Sequence, residues 1–258
     1  VNAVGGTVWA GVSGGAVDRS ICLAGAYSIS GVGNCLSVLA GYRAINSNGA
    51  FVATGAINTS KCPPGTYSSN PTIDCTLLSN GYYGSNNDGV YTESGATKQT
   101  QCVPGTYNSK GLGECDICAN GSYQPNSGAS ICLDVPDGYM GVDASGDFKK
   151  EGAIDKKACP EGYYNRLGNS ACVITPAGHY ASIDGTTYAN LAATRIIPCP
   201  SGYYKESTGI GICVIVPAGF LPVDTANSFN HPTSGAVGTT TCPIGTYNVE
   251  GSASCPLC

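Results

Sequence analysis

The cysteines of this 258-residue chain recur with a fixed period, and that period limits the fold more than any other feature. They stand at Cys22, Cys35, Cys62, Cys75, Cys102, Cys115, Cys118, Cys132, Cys159, Cys172, Cys199, Cys213, Cys242, Cys255 and Cys258. A gap of 13 or 14 alternates with one of 27 to 29, broken only by two gaps of 3. A period near 40 residues marks a tandem array in which each unit touches mainly its neighbours. Every short loop opens alike: its first cysteine is followed by Gly at +3 and Tyr at +5, from Gly25 and Tyr27 through Gly245 and Tyr247. Long loops carry a Gly-aromatic step (Gly41-Tyr42, Gly81-Tyr82, Gly138-Tyr139, Gly219-Phe220) and then a Gly-Ala pair seven residues before the next cysteine. That pair is Gly15-Ala16, Gly55-Ala56, Gly95-Ala96, Gly152-Ala153 and Gly235-Ala236, with Ala192-Ala193 in the fifth unit.

The repeat divides the chain into a half-module at 1–21, modules at 22–61 and 62–101, and a short module at 102–117. Modules at 118–158, 159–198 and 199–241 follow, then a short module at 242–257, and Cys258 opens a module that is absent. The two short units lie 140 residues apart, a super-repeat above the 40-residue period. With no signal peptide and no initiator Met, the chain reads as processed or truncated.

A module of this size is near the lower limit for folding without staples. The short gaps suggest local pairs 22–35, 62–75, 102–115, 118–132, 159–172, 199–213 and 242–255. Each would be worth about 3 kcal/mol in the chain-entropy model. Spacing alone does not settle connectivity, and Cys35 joined to Cys62 across a long loop is the alternative. Cys258 is left over as a candidate for an intermolecular bond. Short β-type runs (42–47, 49–54, 89–94, 194–198, 212–217) lie between turn residues, and helical periodicity is absent. The expected class is therefore small, disulfide-rich, mainly β or irregular, and elongated. The tyrosines at +5 should cover the disulfide or the next module.

The unit C-x-x-G-x-Y-x7-8-C, with C-x-x-C at the short-unit junction, resembles the cysteine-rich repeats of the ephrin-receptor-like and tumour necrosis factor receptor families. CVPGTYNSKGLGECDICANGSYQPNSGASIC and CPIGTYNVEGSASCPLC carry the likeness. The resemblance implies an extracellular array in which the first two cysteines of a unit pair locally. The long loops depart from a receptor repeat because they carry no internal cysteine. Cysteine-periodic surface antigens of ciliates are a looser likeness.

Charge narrows the function. Lys and Arg total 12 against 17 Asp and Glu, a net of −5, which leaves no cationic footprint for nucleic acid. No apolar run approaches the roughly 18–20 residues that span a bilayer. His179 and His231 stand in different modules, so no catalytic or cofactor site is expected. C-x-x-C at 115–118 could hold zinc, but both cysteines have better partners in the disulfide scheme, and no metal is expected. Asp143, Ser145, Asp147 and Glu151 resemble a calcium loop without its sixth-position Gly and twelfth-position Glu. They read as turns, as do Asp184 and Asp224 in the following modules. Asn58 and Asn120 head N-glycosylation sequons, whereas Pro71 blocks the one at Asn70.

These features point to an extracellular structural protein, not an enzyme, that forms a surface filament or coat with copies of itself, head to tail. An excerpt from a longer array is the duller account. The alternatives of other kinds are a receptor or adhesin ectodomain for a protein ligand and a surface antigen. Trp9, the one tryptophan, lies in the half-module and offers no central hot spot.

Overall fold

Each long module of the computed structural model is a pair of two-stranded antiparallel hairpins, one that straddles the disulfide loop and one beyond it. The structure describes residues 7–10, 18–29, 34–224 and 234–258, and among 7–10, 18 and 19 the backbone alone. Every regular element among these is a β-strand of two or four residues. The chain forms two compact units, Val1–Ile117 with Asn126–Cys132, and Cys118–Pro125 with Leu133–Cys258.

In the first unit, module 62–101 shows the plan. Cys62 is fully buried. A turn closed by Thr66 N–H to Pro63 C=O (3.1 Å) sends Thr66–Tyr67 against Thr76–Leu77. The Cys62–Cys75 disulfide ties the ends of this hairpin. Tyr82–Ser85 then runs out and Lys98–Gln101 runs back, with Tyr82 opposite Gln101. Between them the Gly-Ala pair turns inward. Gly95 N–H donates to Cys62 C=O (2.8 Å) and Ser68 N–H donates to Ala96 C=O (3.0 Å). The same two bonds join Gly55-Ala56 to Cys22 and Ser28. Ala56 and Ala96 are consequently core residues, and Val38, Ala44 and Ala56 form a small cluster beneath Tyr27 and Tyr42.

Short module 102–117 lacks a long loop but not the inward pair. Gly128-Ala129 fills that place, with Gly128 N–H on Cys102 C=O (2.8 Å) and Asn108 N–H on Ala129 C=O (3.1 Å). The segment 126–132 belongs to the first unit for this reason.

The second unit repeats the plan with Gly152-Ala153 on Cys118 and Gln124, Ala192-Ala193 on Cys159 and Asn165, and Gly235-Ala236 on Cys199 and Lys205. Tyr123, Val135 and Ala153 make one core cluster, and Ala181, Ala189 and Ala193, with Tyr164 against them, make another. The repeat tyrosines Tyr27, Tyr123 and Tyr164 thus pack in the cluster that holds the alanine of their own module. A parallel bridge between Tyr and Ala backbones (Tyr67↔Ala96, Tyr164↔Ala193) puts each ring there. The return strands Asn58–Lys61, Lys98–Gln101, Asp155–Ala158 and Gly238–Thr241 lie outside the runs expected to be strands. They are largely polar and none of their residues is buried, so no apolar alternation marks them.

Joints between modules use the Gly of the Gly-aromatic step. Gly138 N–H donates to Asn165 C=O (2.7 Å) and its own carbonyl accepts from Cys159 N–H (2.8 Å). Gly178 does the same with Lys205 and Cys199, and in the first unit Gly41 and Gly81 serve the modules that follow them. Gly219 differs: its N–H goes to the Asn248 side chain, which also donates to Phe220 C=O. The backbones meet so closely that a Cβ on Gly138 would overlap the carbonyl oxygen of Ala192, and Gly138 holds φ at +80°. Ala192 itself, in the place of a Gly, is held at φ +55°, the one non-glycine residue with positive φ among those described.

Gly138→Ala is therefore expected to destabilise the second unit by more than about 2 kcal/mol, from steric overlap added to left-handed strain. Ala192→Gly should leave stability unchanged or raise it by up to about 1 kcal/mol, because relief of strain offsets the added freedom of the unfolded chain. Urea unfolding of the oxidised protein measures both.

Candidate functional site

The disulfide loops carry a buried polar residue that repeats without a common identity. It lies six residues after the first cysteine, beside the repeat tyrosine: Ser28, Ser68, Asn108, Gln124, Asn165, Lys205 and Asn248. All seven are buried. Asn165 shows the reason. Its Oδ1 accepts from Leu167 N–H (3.2 Å) and Gly168 N–H (3.1 Å), and its Nδ2 donates to Ser170 C=O (2.7 Å). Asn108 organises its loop in the same way, through Gly111 N–H (2.8 Å) and Leu112 C=O (3.2 Å). Side-chain length follows loop length. The loops of separation 13 that begin at Cys22, Cys62, Cys102, Cys159 and Cys242 hold Ser or Asn, and the loop of separation 14 from Cys199 holds Lys205. Lys205, 3% exposed, caps its loop through Nζ to Ser207 C=O (2.8 Å) and Gly209 C=O (3.0 Å). Burial lowers its pKa from the usual lysine value. These residues escaped the sequence reading because nothing but the shared +6 offset marks them.

The acidic residues singled out as calcium candidates are turn formers. Asp143 Oδ1 accepts from Ser145 N–H (2.9 Å) and Asp147 N–H (3.1 Å). The neutral Asn46 and Asn86 make the same pair of bonds one residue past the equivalent strands. Glu151 is exposed, and no group of three metal-ligating side chains occurs among the described residues. Asp184 accepts from the backbone of Thr187 (2.7 Å) and Thr186 (2.8 Å) and from the Thr187 hydroxyl (2.9 Å). These donors, Thr187 N–H foremost, hold its carboxyl well below the usual carboxylate range. Asp224 is half-buried at the edge of the described residues.

Of the two histidines, His179 turns its Nδ1 to Ala177 C=O (3.1 Å), and His231 lies outside the described residues. Trp9 is described by its backbone alone, opposite Arg19. Asn58 and Asn120 are both exposed, the first on a return strand and the second in the turn before Gly121. The disulfides are Cys22–Cys35, Cys62–Cys75, Cys102–Cys115, Cys159–Cys172, Cys199–Cys213 and Cys242–Cys255. Cys118 and Cys132 are disulfide-bonded too. Cys258 is an exposed free thiol. Its N–H donates to Gly245 C=O (3.1 Å), the bond that Val135, Thr175 and Val216 make to Gly121, Gly162 and Gly202 in full modules.

A family model described as tyrosine-protein kinase ephrin type A/B receptor-like matches residues 105–145. That stretch runs from the turn glycine of the short module through Cys115-x-x-Cys118 into the next long loop. The chain is a cysteine-rich repeat protein. Comparison with curated proteins gives no match. Tandem disulfides and the ephrin-receptor-like match at 105–145 point to an extracellular location. No helix among the described residues of the repeat protein is long and apolar enough to cross a membrane.

Asn165→Ala is expected to cost about 1–3 kcal/mol, since the loop's buried donors and acceptor lose their partner. Urea unfolding checks this. For Asp184 the lowered folded pKa means a contribution present above the unfolded carboxylate range, near about 4, and lost as pH falls through the folded value. The difference in melting temperature between wild type and Asp184→Asn should therefore be present near neutrality and shrink in acid.

Proposed function

We propose that the repeat protein is an extracellular structural element, an array of disulfide-closed modules that contributes to a surface filament or coat by head-to-tail association. The joint carries this reading. Its two faces differ: one offers the N–H and carbonyl of a hairpin glycine, the other the N–H of a first cysteine and the carbonyl at +6. Such a heterologous contact, repeated without closure, produces a filament. An inward pair meets the carbonyl of a first cysteine and the N–H at +6 in six modules, from Cys22 to Cys199. A second copy, or a further segment of the same array, that presents such a pair would dock as the modules dock to each other. Cys258 stands exposed after module 242–257 for a bond across the joint.

The reading assigns no catalysis, because the paired cysteines are oxidised and His179 is turned to a backbone carbonyl. Glycans on the exposed Asn58 and Asn120 would hydrate a surface with only 11% charged residues. A second reading, an ectodomain for a protein ligand, draws on the ephrin-receptor-like match.

Electron microscopy of the purified oxidised protein, with mass analysis under non-reducing conditions, separates the two. Self-association expects oligomers that lengthen with concentration, and Cys258→Ser should remove the disulfide-linked fraction alone. A chain that stays monomeric at every concentration, yet captures a defined protein, would sink the structural reading in favour of the second.

A further inference from the structure

Two successive joints of the first unit differ at one side chain, and the difference leaves a cavity. Measured back from the first cysteine of the following module, Arg43 and Phe51 stand before Cys62 as Tyr83 and Tyr91 stand before Cys102. Arg43 faces Ser60 in its hairpin and Tyr83 faces Thr100 in the next. Phe51 bridges Ile45 as Tyr91 bridges Ser85. Asp74 and Glu114 each precede the second cysteine of their disulfide loops. At the first joint the chain supplies its own cation, with Arg43 Nη1 3.4 Å from Asp74 Oδ1. That is the sole ion pair among the described residues.

At the second joint a tyrosine replaces the arginine. The Tyr83 and Tyr91 rings lie 6.4 Å apart and tilted by 55°, with the Tyr83 hydroxyl turned away to Gly89 C=O (3.1 Å). Beside them opens a cavity of about 370 Å³, lined also by Val90, Val103, Thr106 and Glu114. The Glu114 carboxylate has no cationic partner among the described residues. Burial first, and then the Glu93 and Glu114 carboxylates, push the Tyr91 hydroxyl up. The corresponding joint of the second unit has Tyr180 and Tyr188 but Ile212 in place of Glu114. There Tyr188 is held by Glu161 (2.7 Å) and by Gly211 N–H (3.1 Å).

We infer that the cavity between Tyr83, Tyr91 and Glu114 binds an arginine side chain presented by another chain, its guanidinium over the tyrosine rings and paired with the carboxylate. A planar, weakly hydrated cation suits both surfaces at once. The preceding joint holds the same group internally, fixed to an aspartate at the place of Glu114. The site does not depend on self-association, and failure of either idea leaves the other standing.

The test is a titration of the full oxidised protein with Nα-acetyl-arginine amide at constant ionic strength, read by the ring signals of labelled tyrosines. Saturable shifts are expected at Tyr83 and Tyr91 and none at Tyr180 and Tyr188. Glu114→Gln should weaken binding about fivefold, the scale of a partly exposed ion pair. The neutral isostere Nα-acetyl-citrulline amide should shift nothing. Tyr83→Arg, which installs the residue of the preceding joint, should keep the fold and abolish binding. The inference is overturned if no saturable shift occurs, if citrulline amide acts equally, or if Glu114→Gln binds as tightly as wild type.

Discussion

A single backbone hydrogen bond, from the inward glycine or alanine to the carbonyl of a module's first cysteine, makes one structure of two hairpins. Isolated two-stranded hairpins are marginal in water, and every sheet among the described residues has two strands. Gly95 returns to Cys62 after more than thirty residues, a closure that costs entropy and gains about 1 kcal/mol per net hydrogen bond. It persists because Ala96 follows Gly95 into the core under Tyr67, and because the disulfide has already ordered the cysteine that accepts the bond. Small residues are required there. Ala56, Ala96, Ala153, Ala193 and Ala236 are almost fully buried, and a larger side chain would hold the strands apart.

The joints follow from the same economy. With little apolar surface to bury, modules meet through backbone groups, and glycine lets the chains approach. Gly138 beneath Ala192 and Gly178 beneath Gly235 are two instances of one contact. Because the backbone makes the joint, side chains around it vary without breaking the array. Arg43 with Asp74 closes one joint, Tyr83 with Tyr91 leaves the next open, and Tyr188 with Glu161 fills a third. An array of this kind carries different surface chemistry at each step on an unchanged frame, which suits either a coat or an ectodomain.

Legibility in the sequence tracked how strictly physics restricts a position. Cysteine spacing and the Gly and Tyr after each first cysteine announced small, disulfide-rich, mainly β modules, because a disulfide and a positive φ admit few substitutes. Except for Arg195–Pro198, the strands that return to the first cysteines were invisible. Lys98–Gln101 reads KQTQ and Gly238–Thr241 reads GTTT, polar because they face water, and a strand without a buried face leaves no alternation. The residues at +6 hid for the opposite reason. Ser, Asn, Gln and Lys all satisfy the same loop groups, so function is kept while identity is not.

The sequence by itself determined the repeat, its disulfide chemistry and its class, since these are covalent or local and recur at fixed offsets. Only the tertiary structure decided which residues meet across modules. Gly128-Ala129 sits four and three residues before Cys132, where no other module has its inward pair among the described residues, yet it serves Cys102 and Asn108. Tyr83, Tyr91 and Glu114 are ordinary turn and strand residues until two loops bring them around one cavity. Such contacts arise from chain return and packing, whose geometry no local pattern encodes.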